Sequence, residues 1–453
     1  GLTVSELMPP DVTFRATLDG ATLGVLSLAS KVLISVFWCT ILLGLLRSAT
    51  MMLLALRRKP RTSPPSDDFR PGVTVLVAAY NEEAVIERSI DTILASDYPH
   101  IEVLVIDDGS TDGTGDVIRK AFGHEPRVRL ISKPNGGKWS ALNQGISLVE
   151  TDFVVAVDAD TILRPDAITQ LVAPFADPGI GAVSGNVKVG NRLNLLTRLQ
   201  ALEYLTTQNI DRRAFESIDG MMVVPGAIGA WRVAALREVG GYSNDTLAED
   251  ADLTVSIQRA GYRVRFAEKA ISITEAPASL RPYLAQRLRW TLGMMQVGWK
   301  HRASAGKRHP IGLVSLPDLY LFGICFAMLA PIADLILVFN ILDILRNAAD
   351  GQPLLGDSEN VIILAGYALL PLMDLAVALV ALRMERRVDK SDRYSMLWIM
   401  PFQRIYYRQL LYFTVYRSVV RALTGRLAQW GEQQRMGTVG RPKLEPEIQL
   451  SRI

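Results

Sequence analysis

The segment FVVAVDADTIL, residues 153–163, ends an apolar, valine-rich run in two carboxylates, Asp158 and Asp160. The run from Phe153 to Val157 suits a strand buried on both faces of a parallel sheet. Ligands in open α/β sheets bind outside the carboxyl ends of the strands, where this pair falls. Side chains two apart on extended backbone point the same way, so both carboxylates reach one cation. Such oxygen ligands suit Mg²⁺ or Mn²⁺, which ordinarily shares its sphere with substrate phosphates. A lone Asp-x-Asp is also readable as a solvated loop, so its meaning depends on the neighbouring clusters.

Four of these have a use beside a nucleotide and a metal. VIDDGSTDGT puts Asp107 and Asp108 at another strand end, where carboxylates accept hydrogen bonds from a base or ribose. The same letters make a tight turn with a helix cap. NGGKWS offers a glycine pair and Lys138, either a diphosphate contact or a solvated hairpin lysine. LAEDADLT gathers Glu249, Asp250 and Asp252. Clustered carboxylates raise one another's pKa, which is one way to obtain a general base near neutral pH; the alternative is an exposed acidic helix start. Gln286, Arg289 and Trp290 lie together in QRLRW. There Arg can hold a departing diphosphate and Trp can stack on a sugar face. Interfacial anchoring of a helix by Trp and Arg explains those letters equally.

These residues need elements to position them. Val73–Ala79, Ile101–Ile106, Val128–Ser132 and Phe153–Val157 read as strands. Glu82–Ala95, Thr111–Phe122 and Trp139–Val149 read as the intervening helices. That is a βαβαβ-like series, so the expected fold is α/β with a doubly wound, mostly parallel sheet. A long helix follows from Leu195, then VVPGAIGAWR, the acidic cluster and an amphipathic helix over Arg281–Trp299.

The hydrophobic share is 49% and the mean hydropathy +0.19, with the excess at the two ends of the chain. Val32–Leu56, Ile311–Leu342 and Val361–Leu382 are each long enough to cross a bilayer. The first ends in bases, Arg57, Arg58, Lys59 and Arg61, rather than in small residues, which argues against a cleaved signal peptide. Bases favour the cytoplasmic side, so the amino terminus is expected outside and the central domain inside. RMERRVDK after the third span agrees. Arg61–Pro71 reads as a Pro-rich linker. Trp398–Leu423 is punctuated by Arg404, Arg408, Arg417 and Arg421 and reads as an interfacial or re-entrant helix before a fourth span. A net charge of +3 gives no case for nucleic acid. Cys39 and Cys325 lie in apolar stretches without metal-type spacing and do not report a redox compartment.

Taken in this order and spacing, the clusters resemble the processive, inverting, membrane-embedded glycosyltransferases that include cellulose, chitin and hyaluronan synthases. Among these the chain is most similar to the bacterial poly-N-acetylglucosamine synthases. The resemblance runs from AAYNEE at Ala78 to QRLRW at Trp290, and more loosely to YYRQLLYF and WGEQQRMG. It implies a GT-A-like domain flanked by transmembrane and interfacial helices. The expected division is residues 1–60 with one span, 61–302 as the cytoplasmic catalytic domain, and 303–453 as further helices and a tail.

The resemblance also assigns roles. Tyr80, Glu82, Asp107, Asp108, Lys138 and Asp158 would hold the nucleotide, and Asp158 and Asp160 the divalent metal. Asp250 would be the catalytic base. Gln286, Arg289 and Trp290 would hold the acceptor terminus and the diphosphate, with the Gly226–Trp231 loop lining the acceptor site. The implied partners are a UDP-sugar donor, first UDP-N-acetylglucosamine and next UDP-glucose, a growing polysaccharide, the lipid bilayer of the plasma (inner) membrane and a small membrane accessory subunit. A non-processive transferase of sugar to a lipid acceptor is the alternative. Arg404 and Arg408 form an R-x-x-x-R, but no D-x-S-x-x-G follows, so no cyclic-di-GMP-sensing domain is expected.

Overall fold

The computed structural model describes residues 10–58, 69–306, 309–353, 358–389, 392 and 394–425. Most of the Arg61–Pro71 linker and the WGEQQRMG tail lie outside these. The chain divides into two compact units, Gly1–Ala49 with Cys325–Asp374 and Thr50–Ile324 with Leu375–Ile453.

The second unit holds one eight-stranded sheet. Its strands are β1 (Val73–Ala79), β2 (Ile101–Asp107), β3 (Val128–Ser132), β4 (Phe153–Asp158), β5 (Ile162–Leu163), β6 (Ile180–Val189), β7 (Gly229–Arg232) and β8 (Arg263–Thr274). Their order is β3-β2-β1-β4-β7-β6-β8-β5. The first half is parallel, as expected: β1 lies between β2 and β4, with β3 outside β2. Its crossovers are the helices α1 (Ile86–Leu94), α2 (Thr114–Phe122) and α3 (Lys138–Leu148). The second half is mixed, because β7 runs antiparallel to both β4 and β6 while β6 and β8 are parallel.

The alternation of β1 explains why both faces are covered. Val73, Val75 and Val77 pack with Ile86 and Ile90 of α1, while Leu76 packs with Ala141, Leu142 and Ile146 of α3. A strand buried on both sides is apolar at nearly every position, a fully buried Val or Leu being worth roughly 1.5–3 kcal/mol. The one polar residue of β1, Thr74, is hydrogen-bonded to Thr151. Gly145 lets α3 approach β1, since a Cβ there would collide with Leu76.

Beyond the sheet, the helix expected from Leu195 forms in three pieces. These are α4 (Leu195–Glu203), a π-helical turn at Tyr204–Gln208 and α5 (Asn209–Ser217). Asn194 and Thr197 form a reciprocal capping box that starts it. Then come α6 (Val233–Val239), α7 (Glu249–Arg259) and α8 (Leu280–Lys300). A further π turn, Gln403–Tyr407, leads into the helix Arg408–Leu423. In the same unit, Lys188 of β6 sits among Glu385, Asp389 and Asp392 at 2.7–3.3 Å.

Three helices are long and apolar enough to cross a membrane: Ser27–Arg57, Ile311–Ala349 and Ser358–Glu385. They cover the three expected spans. No fourth among the described residues meets that length and composition, and the Trp398–Leu423 segment is not one of them. Within the first unit, Tyr367 donates to Asp334 at 2.7 Å and Asn340 to Asn360 at 2.7 Å, which satisfies polar groups on apolar helices.

Candidate functional site

The carboxyl ends of β1, β2 and β4 meet at one edge of the sheet. Ala78 is registered against Asp158 of β4 and Ala79 against Asp107 of β2. Tyr80 therefore leaves the sheet between the two acidic strand ends. The loop after it is tied to the loop after β2. Asn81 accepts from the Thr111 amide at 2.8 Å, and the Glu82 amide donates to Thr114 Oγ1 at 2.8 Å. Asn81 adopts a left-handed backbone, φ 56°, which Asn tolerates better than most residues.

The two aspartates of the β2 loop do different things. Asp107 accepts from the Ser110 amide at 2.9 Å and shapes the turn. Asp108 is buried and accepts from the Gly136 and Gly137 amides at 3.0 and 2.7 Å. It also pairs with Lys133 at 2.5 Å. Asp108 thus holds the glycine pair in place. Gly137, at φ 86°, turns the chain into α3 with Lys138 as its first residue.

Lys138 Nζ lies 2.5 Å from Asp158 Oδ1 and 3.8 Å from Glu249 Oε1. The Gly226 amide donates to Asp250 Oδ2 at 3.3 Å. A Cβ on Gly226 would fall 2.6 Å from Lys138 Nζ and 3.2 Å from Asp158 Oδ1. Lys138, Asp158, Gly226, Glu249 and Asp250 therefore converge on one place, drawn from four separate stretches of chain. Burial and the neighbouring Asp250 push Glu249 up to about 7, against the pull of Lys138. Asp250 is also raised, by burial first and then by Asp158, against Lys138 and two backbone amides. The positive charge of Arg289, on α8, acts on Glu249. Asp160 is buried and accepts from Thr274 at 3.3 Å and Thr161 at 3.4 Å.

Gln286 is buried on α8, with its Oε1 shielded from solvent. Trp290, on the same helix, is stacked by a guanidinium at 4.6 Å. Trp231 is placed differently from the expectation. It belongs to β7, is 1% exposed and packs edge-on against Tyr242 at 6.2 Å. The strand pairing turns its indole into the core, whereas Gly226 reaches the carboxylates. Asp252 also turns away from its neighbours. It pairs with His301 at 2.7 Å and Lys300 at 2.8 Å, fastening α7 to the end of α8.

Two residues near the carboxylates were not singled out by motif. Tyr204 opens the π turn, and the charges of Arg287, Glu203, Arg212 and Asp160 act on it. Arg212 lies one turn beyond; burial pushes its guanidinium down to about 10, against the pull of Tyr204 and Asp250. Neither carries a local sequence signal. Only the widened helical turn, a device common at functional sites, brings them there.

A sheet edge of this kind, with carboxylates and a lysine gathered over its strand ends, is where an open α/β sheet takes its ligand. Residues 71–293, just under half of the chain, match the family described as Glycosyltransferase like family 2. Over 231 residues the chain is 32% identical to the poly-beta-1,6-N-acetyl-D-glucosamine synthase of Staphylococcus aureus (strain COL), a match covering 51% of this chain and 56% of that protein. The chain thus spans little more than half the length of that relative. The synthase of the same name from Staphylococcus epidermidis is 26% identical over 275 residues, covering 60% of this chain and 67% of its own. Among solved structures, a mannosyltransferase from Pyrobaculum calidifontis, in complex with GDP-Man and Mn²⁺, superposes with a TM-score of 0.60. It is 23% identical and covers 87% of this chain and 98% of its own. That likeness bears on the fold.

Proposed function

We propose that the chain is a processive, inverting glycosyltransferase that adds hexosyl units from a UDP-sugar to a growing β-linked polysaccharide. The observation that carries this reading is the convergence of Lys138, Asp158 and Gly226 on the Glu249–Asp250 pair. A cation for a leaving diphosphate and a carboxylate for an attacking hydroxyl are then gathered in one place. The synthase relatives make a β-1,6-linked N-acetylglucosamine polymer the first expectation, and UDP-N-acetylglucosamine the first donor.

The acceptor hydroxyl gives its proton to Asp250 as its oxygen attacks the anomeric carbon. The bond to the diphosphate breaks on the opposite face, its electron pair leaving with UDP, and the configuration inverts in one step. One carboxylate base suffices. Lys138 and Arg289 stabilise the departing diphosphate, as preorganised cations do where negative charge develops. Asp107 and Asp108 shape the nucleotide loop, with Tyr80 and Glu82 beside it. Gln286 and Trp290 hold the acceptor terminus.

A divalent metal fits this site on two grounds. Asp158 already carries a cation, the Lys138 ammonium, and Asp160 is a buried carboxylate facing hydroxyl donors. Among the described residues no group of three or more His, Cys, Asp or Glu is placed to hold a metal ion by itself, so the donor's phosphates would complete the sphere. Asp158 and Asp160 would hold the ion, which supplies charge neutralisation on the leaving group. The Mn²⁺ of the mannosyltransferase agrees with that choice.

The three apolar helices cross the plasma membrane with the catalytic domain on the cytoplasmic side, where UDP-sugars are made, and the polymer leaves between them. The deciding experiment incubates the purified protein with labelled UDP-N-acetylglucosamine, UDP-glucose and GDP-mannose, followed by linkage analysis. A single short product on a lipid would replace processive synthesis by transfer to a lipid acceptor. No turnover with any donor would remove the enzymatic reading.

A further inference from the structure

The first arginine of QRLRW, Arg287, does not face the carboxylates with Arg289. It is buried, and both its terminal nitrogens are committed: Nη1 to Glu203 Oε1 at 2.8 Å and Nη2 to Glu203 Oε2 at 2.6 Å. Nη2 also meets the Tyr407 hydroxyl at 3.1 Å, and that hydroxyl donates to Glu203 Oε2 at 2.5 Å. Tyr407 is fully buried and its ring tilts against that of Tyr283 at 5.5 Å. The flat guanidinium held this way lies 4.6 Å from the Trp290 ring centre and 5.2 Å from that of Tyr283.

Glu203, Arg287 and Tyr407 come from three elements distant in sequence, and the two partners of Arg287 each sit at a helix irregularity. Glu203 is the last residue before the π turn at Tyr204–Gln208, and Tyr407 is the last residue of the π turn at Gln403–Tyr407. Each widened turn changes the azimuth of the helix that follows it, and the two meet at one carboxylate–phenol contact. The planar fork of Arg is suited to binding a carboxylate bidentately while stacking on an indole, and Lys is not.

We propose that Arg287 is a positioning residue for Trp290: Glu203 and Tyr407 fix its guanidinium, and the guanidinium fixes the indole. Through Tyr407, the carboxyl-terminal helix Arg408–Leu423 becomes a support of the acceptor end of the site. The functional consequence, registration of the sugar at the polymer terminus, rests on the acceptor reading of Trp290 given above. The placement of the indole does not.

The test uses the full chain in detergent, labelled with 5-fluorotryptophan, with the Trp290 resonance assigned by Trp290→Phe. Arg287→Lys keeps the charge opposite Glu203 but loses the flat stack, and Tyr407→Phe keeps the ring but loses its hydroxyl. Both should shift or broaden the Trp290 ¹⁹F line, Arg287→Lys the more, while the other tryptophan lines stay put. With the donor that supports turnover, both should shorten the product several-fold and leave the donor KM unchanged. In a Trp290→Ala background neither should shorten it further. An unmoved Trp290 line in both variants overturns the proposal, as does shortening that adds to that of Trp290→Ala. If Arg287→Lys fails to fold, Tyr407→Phe decides by the same line. Product length untouched by Trp290→Ala would instead sink the acceptor reading, with the resonance still deciding the positioning role.

Discussion

Lys138 Nζ rests 2.5 Å from Asp158 Oδ1, so the residue that opens α3 meets the residue that ends β4. Burial disfavours the ammonium, but Asp158, then Glu249, outweigh it and raise its pKa. The lysine stays charged at any physiological pH and is ready for an anionic leaving group. Lys138→Gln should therefore weaken UDP binding by about 10- to 100-fold, the equivalent of about 1.5–3 kcal/mol for one charged hydrogen bond. Calorimetry with UDP measures it, and unchanged affinity would move the diphosphate away from Lys138.

On the proposed role of Asp250 as base, Asp250→Asn removes the proton acceptor and keeps the shape. Turnover should fall by on the order of 10²–10⁴, while donor affinity changes little, because a base acts on the transition state. Parallel loss of donor binding would assign Asp250 to the nucleotide side and leave Glu249 as the base. Asp252 is not the substitute, since it is spent on His301 and Lys300.

Glu249 supplies a pH dependence with a defined sign. Burial raises it from 4.5 to about 7 in the folded chain. Its contribution to stability is present in full below pH about 4.5 and is lost as the pH climbs to about 7. Glu249→Gln should flatten the decline in thermal stability across that window. It should also move the acidic limb of the rate profile to lower pH, because Asp250 loses a like-charged neighbour and the limb belongs to the pair. Melting curves and turnover at pH 5 to 8 read both effects, and identical profiles in wild type and variant would dismiss the coupling.

The two tryptophans should part company. Trp231→Ala opens a cavity in the core and should cost about 3–5 kcal/mol, with loss of folded protein. Trp290→Ala should leave the melting temperature nearly unchanged and shorten the product. A stable Trp231→Ala protein with a specific acceptor defect would restore the loop reading that its burial displaced.

Much of this was legible in the sequence for a local reason. The strands β1 and β4 start where their apolar runs start, because a strand covered on both faces admits few polar residues. The three helices long and apolar enough to cross a membrane were legible for a similar reason, since lipid demands a long uninterrupted apolar helix. The carboxylates at the strand ends followed from the topology of a parallel sheet. Tertiary structure alone decided what those side chains meet. Asp250 and Asp252 are two apart in sequence, yet one faces Gly226 and the other His301, because consecutive helical positions point in different directions. Trp231 and Trp290 looked alike as letters, and only strand pairing sent one into the core. Glu203, Arg287 and Tyr407 are separated by 84 and 120 residues, and no local pattern records a contact made across that distance.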